Sequence, residues 1–321
     1  MEIKLSIIQK SAALKNEPNL SASDFDKQLL RFVKDYCSPF EGVREFLSTT
    51  RIAATVEKET KGLYLPLWPF DTCYVGMDIF WSFFLEMYLT ITWEQEQFYD
   101  NDAKEELFDL GLKPPYLNGL FAWDKVRNIV HINNKQLDNS HLDCPGSSLA
   151  KLPQWAICFN TVEQNLLWNE RPVAGVIFYR YFLIKPPAYT YNKGLHGYHK
   201  AYRNKVNTII IYHDGTLDIG PFLDLYYSGS VKNYFYDTEK LLQDKLNKTV
   251  MDFDYVEYTA ACQTNNSCDI FNLLAYFLEN LDKIKNAKGE KVSFAPNPKP
   301  VKTKKGYRLF GSDSIHSYYL D

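Results

Sequence analysis

Residues 152–162 read LPQWAICFNTV, residues 173–184 read VAGVIFYRYFLI, and residues 207–225 read NTIIIYHDGTLDIGPFLDL. These apolar runs are of strand length, rich in Ile, Val, Phe and Tyr, and broken by polar or Gly/Pro-bearing connectors, which is the pattern of buried strands. In residues 173–184 both alternating faces are apolar or aromatic, so neither is left for water, and such a strand needs cover on both sides. The cover has to come from helices elsewhere in the chain. The expected fold is α+β: an antiparallel sheet of at least three strands over about residues 152–225, packed with N-terminal and C-terminal helices.

The rest of the chain supplies those helices. Residues 24–36 carry Phe25, Leu29, Phe32 and Val33 on one face, and residues 40–56 continue at helical spacing more weakly. The strongest helical stripe is Met77, Phe80, Trp81, Phe84, Leu85, Tyr88 and Leu89, wide enough to be largely buried. A short helix is expected at 103–110, stopped by Gly111 and Pro114-Pro115, and another at 123–132. After the sheet, residues 234–247 and a helix capped by Asp269 and running to Ile284 complete the set. Residues 1–145 therefore read as a helical region and 146–321 as a sheet-containing region. The two-faced strands require the pair to pack as one unit.

Composition limits the class. Of 321 residues, 45% are hydrophobic and 16% aromatic, with 23 Tyr and 21 Phe, which excludes disorder over most of the chain. The net charge of -3 hides an uneven distribution. Nine Lys/Arg against Glu290 alone give residues 283–308 a charge of +8, leaving -11 for the remainder. That basic segment contains Lys302, Lys304, Lys305 and Arg308 and three prolines, so it reads as a loop or mobile arm. It is either a solvated loop or a contact for nucleic acid or the ribosome.

The six cysteines (37, 73, 144, 158, 262 and 268) form no CxxC pair. The N-terminal apolar patch is too short and interrupted for an export signal. Reduced thiols and a cytoplasmic setting are expected. No apolar run reaches membrane-spanning length, so no membrane partner is expected.

No motif of a common hydrolase, nucleotide-binding or metalloprotease family occurs, and no catalytic residue is assigned. His196 and His199 are three residues apart, but a metal site needs further ligands, so neither metal nor cofactor is expected. With Lys200, Arg203 and the neighbouring tyrosines they form a basic, aromatic loop suited to phosphate or base contacts. Asp214-Gly215 reads as a turn between strands.

The candidate peptide-binding residues are Trp155, Tyr179, Arg180, Tyr181 and Tyr212, because Tyr and Arg on neighbouring strands can line a groove for an extended peptide. Strand alternation turns Tyr179 and Tyr181 one way and Arg180 the other, so a groove would use one set or the other.

The order of the pieces resembles a type V-A anti-CRISPR family encoded by phages and plasmids. The pieces are Leu152-Pro153-Gln154-Trp155, residues 175–184, 207–214, 220–225 and 269–284, and Lys304-Lys305-Gly306-Tyr307-Arg308-Leu309-Phe310-Gly311. The likeness is spread over about the last 170 residues and is weaker before Leu152. The resemblance implies a binding protein in the bacterial host cytoplasm that recognises an N-terminal peptide of the CRISPR effector nuclease as it is made, after which the message is lost. The competing classes are a nucleic-acid-binding protein and a nuclease or toxin of a mobile element, which would require Asp, Glu or His side chains converging in one cleft.

Overall fold

The computed structural model describes residues 21, 24–34, 114–133, 137, 139–181, 205–225, 227–247, 263–298, 301–304, 306–308 and 310–321. The expected helices at 40–56, 77–89 and 103–110 lie outside the described residues.

Strands β1 (Asn128–Ile132), β2 (Ala156–Asn160), β4 (Arg171–Tyr181), β5 (Lys205–Tyr212), β6 (Leu217–Ile219) and β10 (His316–Leu320) lie side by side in the order β10-β1-β2-β4-β5-β6. The short strands β3 (Leu167–Trp168) and β7 (Leu223–Asp224) pair with β4 and β5 and complete an eight-stranded sheet. A separate ribbon joins β8 (Val301–Thr303) to β9 (Gly306–Arg308). The fold is α+β, and the sheet is mixed. From β2 through β6 the pairs are antiparallel, as the sequence indicates, whereas β1 runs parallel to both β2 and β10.

Both faces of the sheet are covered, which is what the two-faced strands require. Every residue of β5 is buried. On one face, Phe25, Leu29 and Phe32 of α1 (Phe25–Phe32) and Leu120, Trp123 and Val126 of α2 (Pro114–Val126) pack on Cys158, Ala174, Ile177, Ile209 and Ile211. On the other, Phe235 of α3 (Val231–Asn247) and Phe271, Leu274 and Phe277 of α4 (Thr264–Glu279) pack on Phe159, Val176, Phe178 and Ile210. Phe159, Phe178, Phe271 and Phe277 meet edge to face, with centroids 5.3–5.5 Å apart, the arrangement that aromatic quadrupoles favour.

A bulge in β4 fixes which side chain goes to which face. The register shifts between Val173 and Gly175, so Val173 and Val176 both enter the core under α3 and α4. Gly175 makes room for α1: a Cβ there would stand 2.6 Å from Phe25 Cε2 and 3.0 Å from the Phe159 carbonyl oxygen.

Pro114-Pro115 opens α2, because proline is tolerated in the first turn, where N–H groups have no helical acceptor. Three local expectations change. Residues 128–132 are strand, not helix; Arg127, at φ 43°, breaks α2 from β1. The last helix starts at Thr264, so Asp269 is inside it and not its cap. The segment read as a mobile arm contains the β8–β9 ribbon.

Candidate binding site

The structure places the candidate tyrosines Tyr179 and Tyr212 in cores on opposite faces of the sheet. Tyr179 is 2% exposed and lies, with Trp155, in the core under α1 and α2. Its ring packs where α2 has Gly119, whose Cβ would come within 2.8 Å of Tyr179 Cδ1. Tyr212 is 1% exposed and belongs to the core on the opposite face. Arg180 and Tyr181 are paired with Val206 and Lys205 at the end of β4; their side chains lie outside the described residues. His196, His199, Lys200, Arg203 and Lys305 also lie outside them. Lys302 and Arg308 take positions on the ribbon, and Lys304 is exposed in its turn.

Tyr212 instead organises a polar cluster. The Arg171 guanidinium lies 3.6 Å from its ring centroid and bonds Asp214 and Thr216. The Tyr212 hydroxyl donates to Asp218 Oδ2 at 3.0 Å, and Asn169 Nδ2 donates to the same oxygen at 2.9 Å. Burial, and then the Asp218 carboxylate, push the phenol above its ordinary pKa. The Asp214 carboxyl lies below its ordinary value: hydrogen bonds from Thr216 and Arg171 outweigh the effect of burial, which alone would raise it. Asp214 and Asp218 are thus tied to neighbours that hold two turns in place. Among the described residues no three His, Cys, Asp or Glu side chains converge as a metal site would need.

The cluster supports one wall of a cleft that sequence reading did not find. Asn169 and Glu170 form the two-residue turn between β3 and β4, with φ of 50° and 60°. This is the left-handed geometry of the tight hairpin turn normally marked by Asn-Gly. Glu170 replaces the expected glycine, so the sequence signal is missing. Asn169 is gripped from α4: its N–H donates to Gln263 Oε1 at 2.7 Å, and Gln263 Nε2 donates back to Asn169 Oδ1.

Glu170, Tyr236 and Glu239 of α3, and Gln263, Thr264, Asn265 and Asn266 at the start of α4 complete a cleft of about 930 Å³. The Tyr236 hydroxyl donates to Asn265 Oδ1 at 3.3 Å, and Asn266 Nδ2 to Gln263 Oε1 at 3.2 Å. Four amide side chains and two carboxylates thus line the cleft, several braced against one another. Amides donate and accept together, as a peptide main chain does.

No protein-family profile and no curated protein matches the sequence. Among solved structures, the chain is similar to the crystal structure of AcrVA2. The identity is 14%, the match covers 84% of this chain and 82% of that one, and the TM-score is 0.42. A likeness of that degree decides neither fold nor activity. Among the described residues no helix is long and apolar enough to cross a membrane.

Proposed function

We propose that this protein is a type V-A anti-CRISPR protein that captures an N-terminal peptide of the nascent effector nuclease and lowers its production through loss of the message. The observation that carries this reading is where the family-like pieces fall. Leu152 to Trp155 lead into β2, residues 175–184 include most of β4, and 207–214 include most of β5. Residues 269–284 include most of α4, and 304–311 span the ribbon's turn and second strand. The pieces that carry the resemblance build the central sheet, its cover and the basic ribbon.

The cleft supports peptide capture as the mode of action. Its amides match main-chain donors and acceptors, and Glu170 and Glu239 suit an N–H or ammonium group. Glu170 occupies backbone space that glycine takes at lower cost, and a local cost of this kind is a pointer to function.

The test is co-expression with a type V-A effector, measuring effector message and protein, with pull-down from translating cells before and after ribosome release. Effector N-terminal peptides should be recovered before release, the effector message should fall several-fold, and an unrelated message should not. Glu170→Gly, which relaxes the turn, should fold at least as stably and capture less peptide. An unchanged effector message with no effector peptide recovered overturns the reading.

A further inference from the structure

We infer that the β8–β9 ribbon is a contact for the phosphate backbone of single-stranded RNA, independently of whether the protein captures a peptide. From Lys291 to Ser312 the chain carries six Lys/Arg and no Asp or Glu. A solvated loop would let these charges spread apart. Here the chain instead folds into a two-stranded antiparallel ribbon whose strands pair only with each other among the described residues. Lys302 stands opposite Tyr307 in register, Val301 opposite Arg308, and Thr303 opposite Gly306, and Lys304 is exposed at the turn. Paired strands lie about 4.8 Å apart and rise about 3.3 Å per residue. The backbone positions of Lys302, Lys304 and Arg308 therefore share a span of roughly a Debye length at physiological salt.

The ribbon is anchored at both ends. Before it, the Ala295 carbonyl accepts from Gln154 Nε2 at 2.7 Å, and Asn297 Oδ1 accepts from the Trp155 N–H at 3.0 Å. Phe294 stacks on Tyr318 with centroids 4.0 Å apart. After it, the Ser312 N–H donates to the Lys125 carbonyl at 3.0 Å. The chain is thus tied to the body before and after the ribbon.

Aromatic residues interleave with the cations. Tyr307 lies between Lys305 and Arg308, and Phe310, two residues beyond Arg308, is 56% exposed. Cations that track phosphates beside aromatics that stack on unpaired bases are the two parts of a single-strand platform. A duplex hides its base faces and would leave the aromatics unused.

The test uses the full chain and a fluorescein-labelled 20-nucleotide oligouridylate RNA, followed by anisotropy from about 50 to 300 mM salt. Log affinity should fall linearly with log salt, with a slope of about -2 to -3 if three or four phosphates are neutralised. Lys302→Glu with Lys304→Glu should weaken binding at least tenfold and flatten the slope. Lys304→Glu alone, in the exposed turn, should give a smaller loss of the same sign. Phe310→Ala should weaken binding without changing the slope, and Lys288→Glu, exposed outside the ribbon, should change little. No RNA binding by the parent protein at 50 mM salt overturns the inference. So does parent-like binding by the folded double variant, or tighter binding of a duplex of equal length. RNA binding of this kind in a protein that recovers no effector peptide leaves the ribbon's role standing and defeats the peptide reading.

Discussion

Arg171 lays its guanidinium over the Tyr212 ring, 3.6 Å from the centroid, while bonding Asp214 and Thr216 across the next turn. The pair joins the tip of the β3–β4 hairpin to the β5–β6 hairpin, and Asp218 closes the link by accepting from both Tyr212 and Asn169. Tyr212 is a strut beneath the cleft and not a surface that a peptide can reach.

Tyr212→Phe removes one hydrogen bond to a carboxylate and should cost about 1–2 kcal/mol at neutral pH. The folded phenol has a raised pKa, so the neutral form is the one the fold favours. That contribution is intact below about pH 10, where unfolded tyrosine titrates, and is lost as pH rises above it. In denaturant titrations the parent's advantage over the variant should hold steady from pH 7 to about 9 and narrow above 10. An advantage that widens above pH 10 would mean that the fold favours the phenolate.

Gly175→Ala should cost about 1–3 kcal/mol through overpacking against Phe25. Phe25→Leu withdraws the ring, so Gly175→Ala should cost less in that background. The remaining cost reflects the Phe159 carbonyl oxygen. A double-mutant cycle with no coupling would show that something other than Phe25 limits the space.

Asn128 is fully buried at the start of β1. Its Nδ2 donates to Gln154 Oε1 and to the Ala156 carbonyl at 2.6 Å, and its Oδ1 accepts from the Cys158 N–H at 2.9 Å. Asn128→Asp sets an oxygen against two acceptors and should destabilise by at least about 2 kcal/mol at pH 7. Burial raises the introduced acid's folded pKa above its unfolded one, so part of the loss should return near pH 4, where the protonated acid donates again. Equal losses at both pH values would show that the amide's donor is not what matters.

The strands β2, β4 and β5 and the helices α3 and α4 were legible because their cause is local. An apolar run with no polar face, such as Thr208 to Tyr212, has few alternatives to a covered strand, and a stripe such as Phe271, Leu274 and Leu278 marks a packed helix. β1 was not legible. NIVHI is short, and what makes it a strand is pairing with residues far along the chain, Asn128 opposite His316 and Val130 opposite Phe159. The ribbon was hidden for a related reason: a lysine-rich segment carries little strand pattern, and only the Val301–Arg308 pairing reveals it.

The sequence by itself determined that a sheet buried on both faces forms the centre, since Val173 to Tyr179 and Ile209 to Tyr212 offer water no side. It also determined where positive charge gathers. The tertiary structure decided what each tyrosine meets: Tyr179 is sealed by Gly119 of α2, and Tyr212 by Arg171 and the opposite core. It also assembled the cleft, whose walls come from residues 169 and 170, 236 and 239, and 263–266. Periodicity reports how a residue relates to its chain neighbours, whereas a site of this kind exists only through contacts between segments remote in sequence, which the packing of α3 and α4 on the sheet creates.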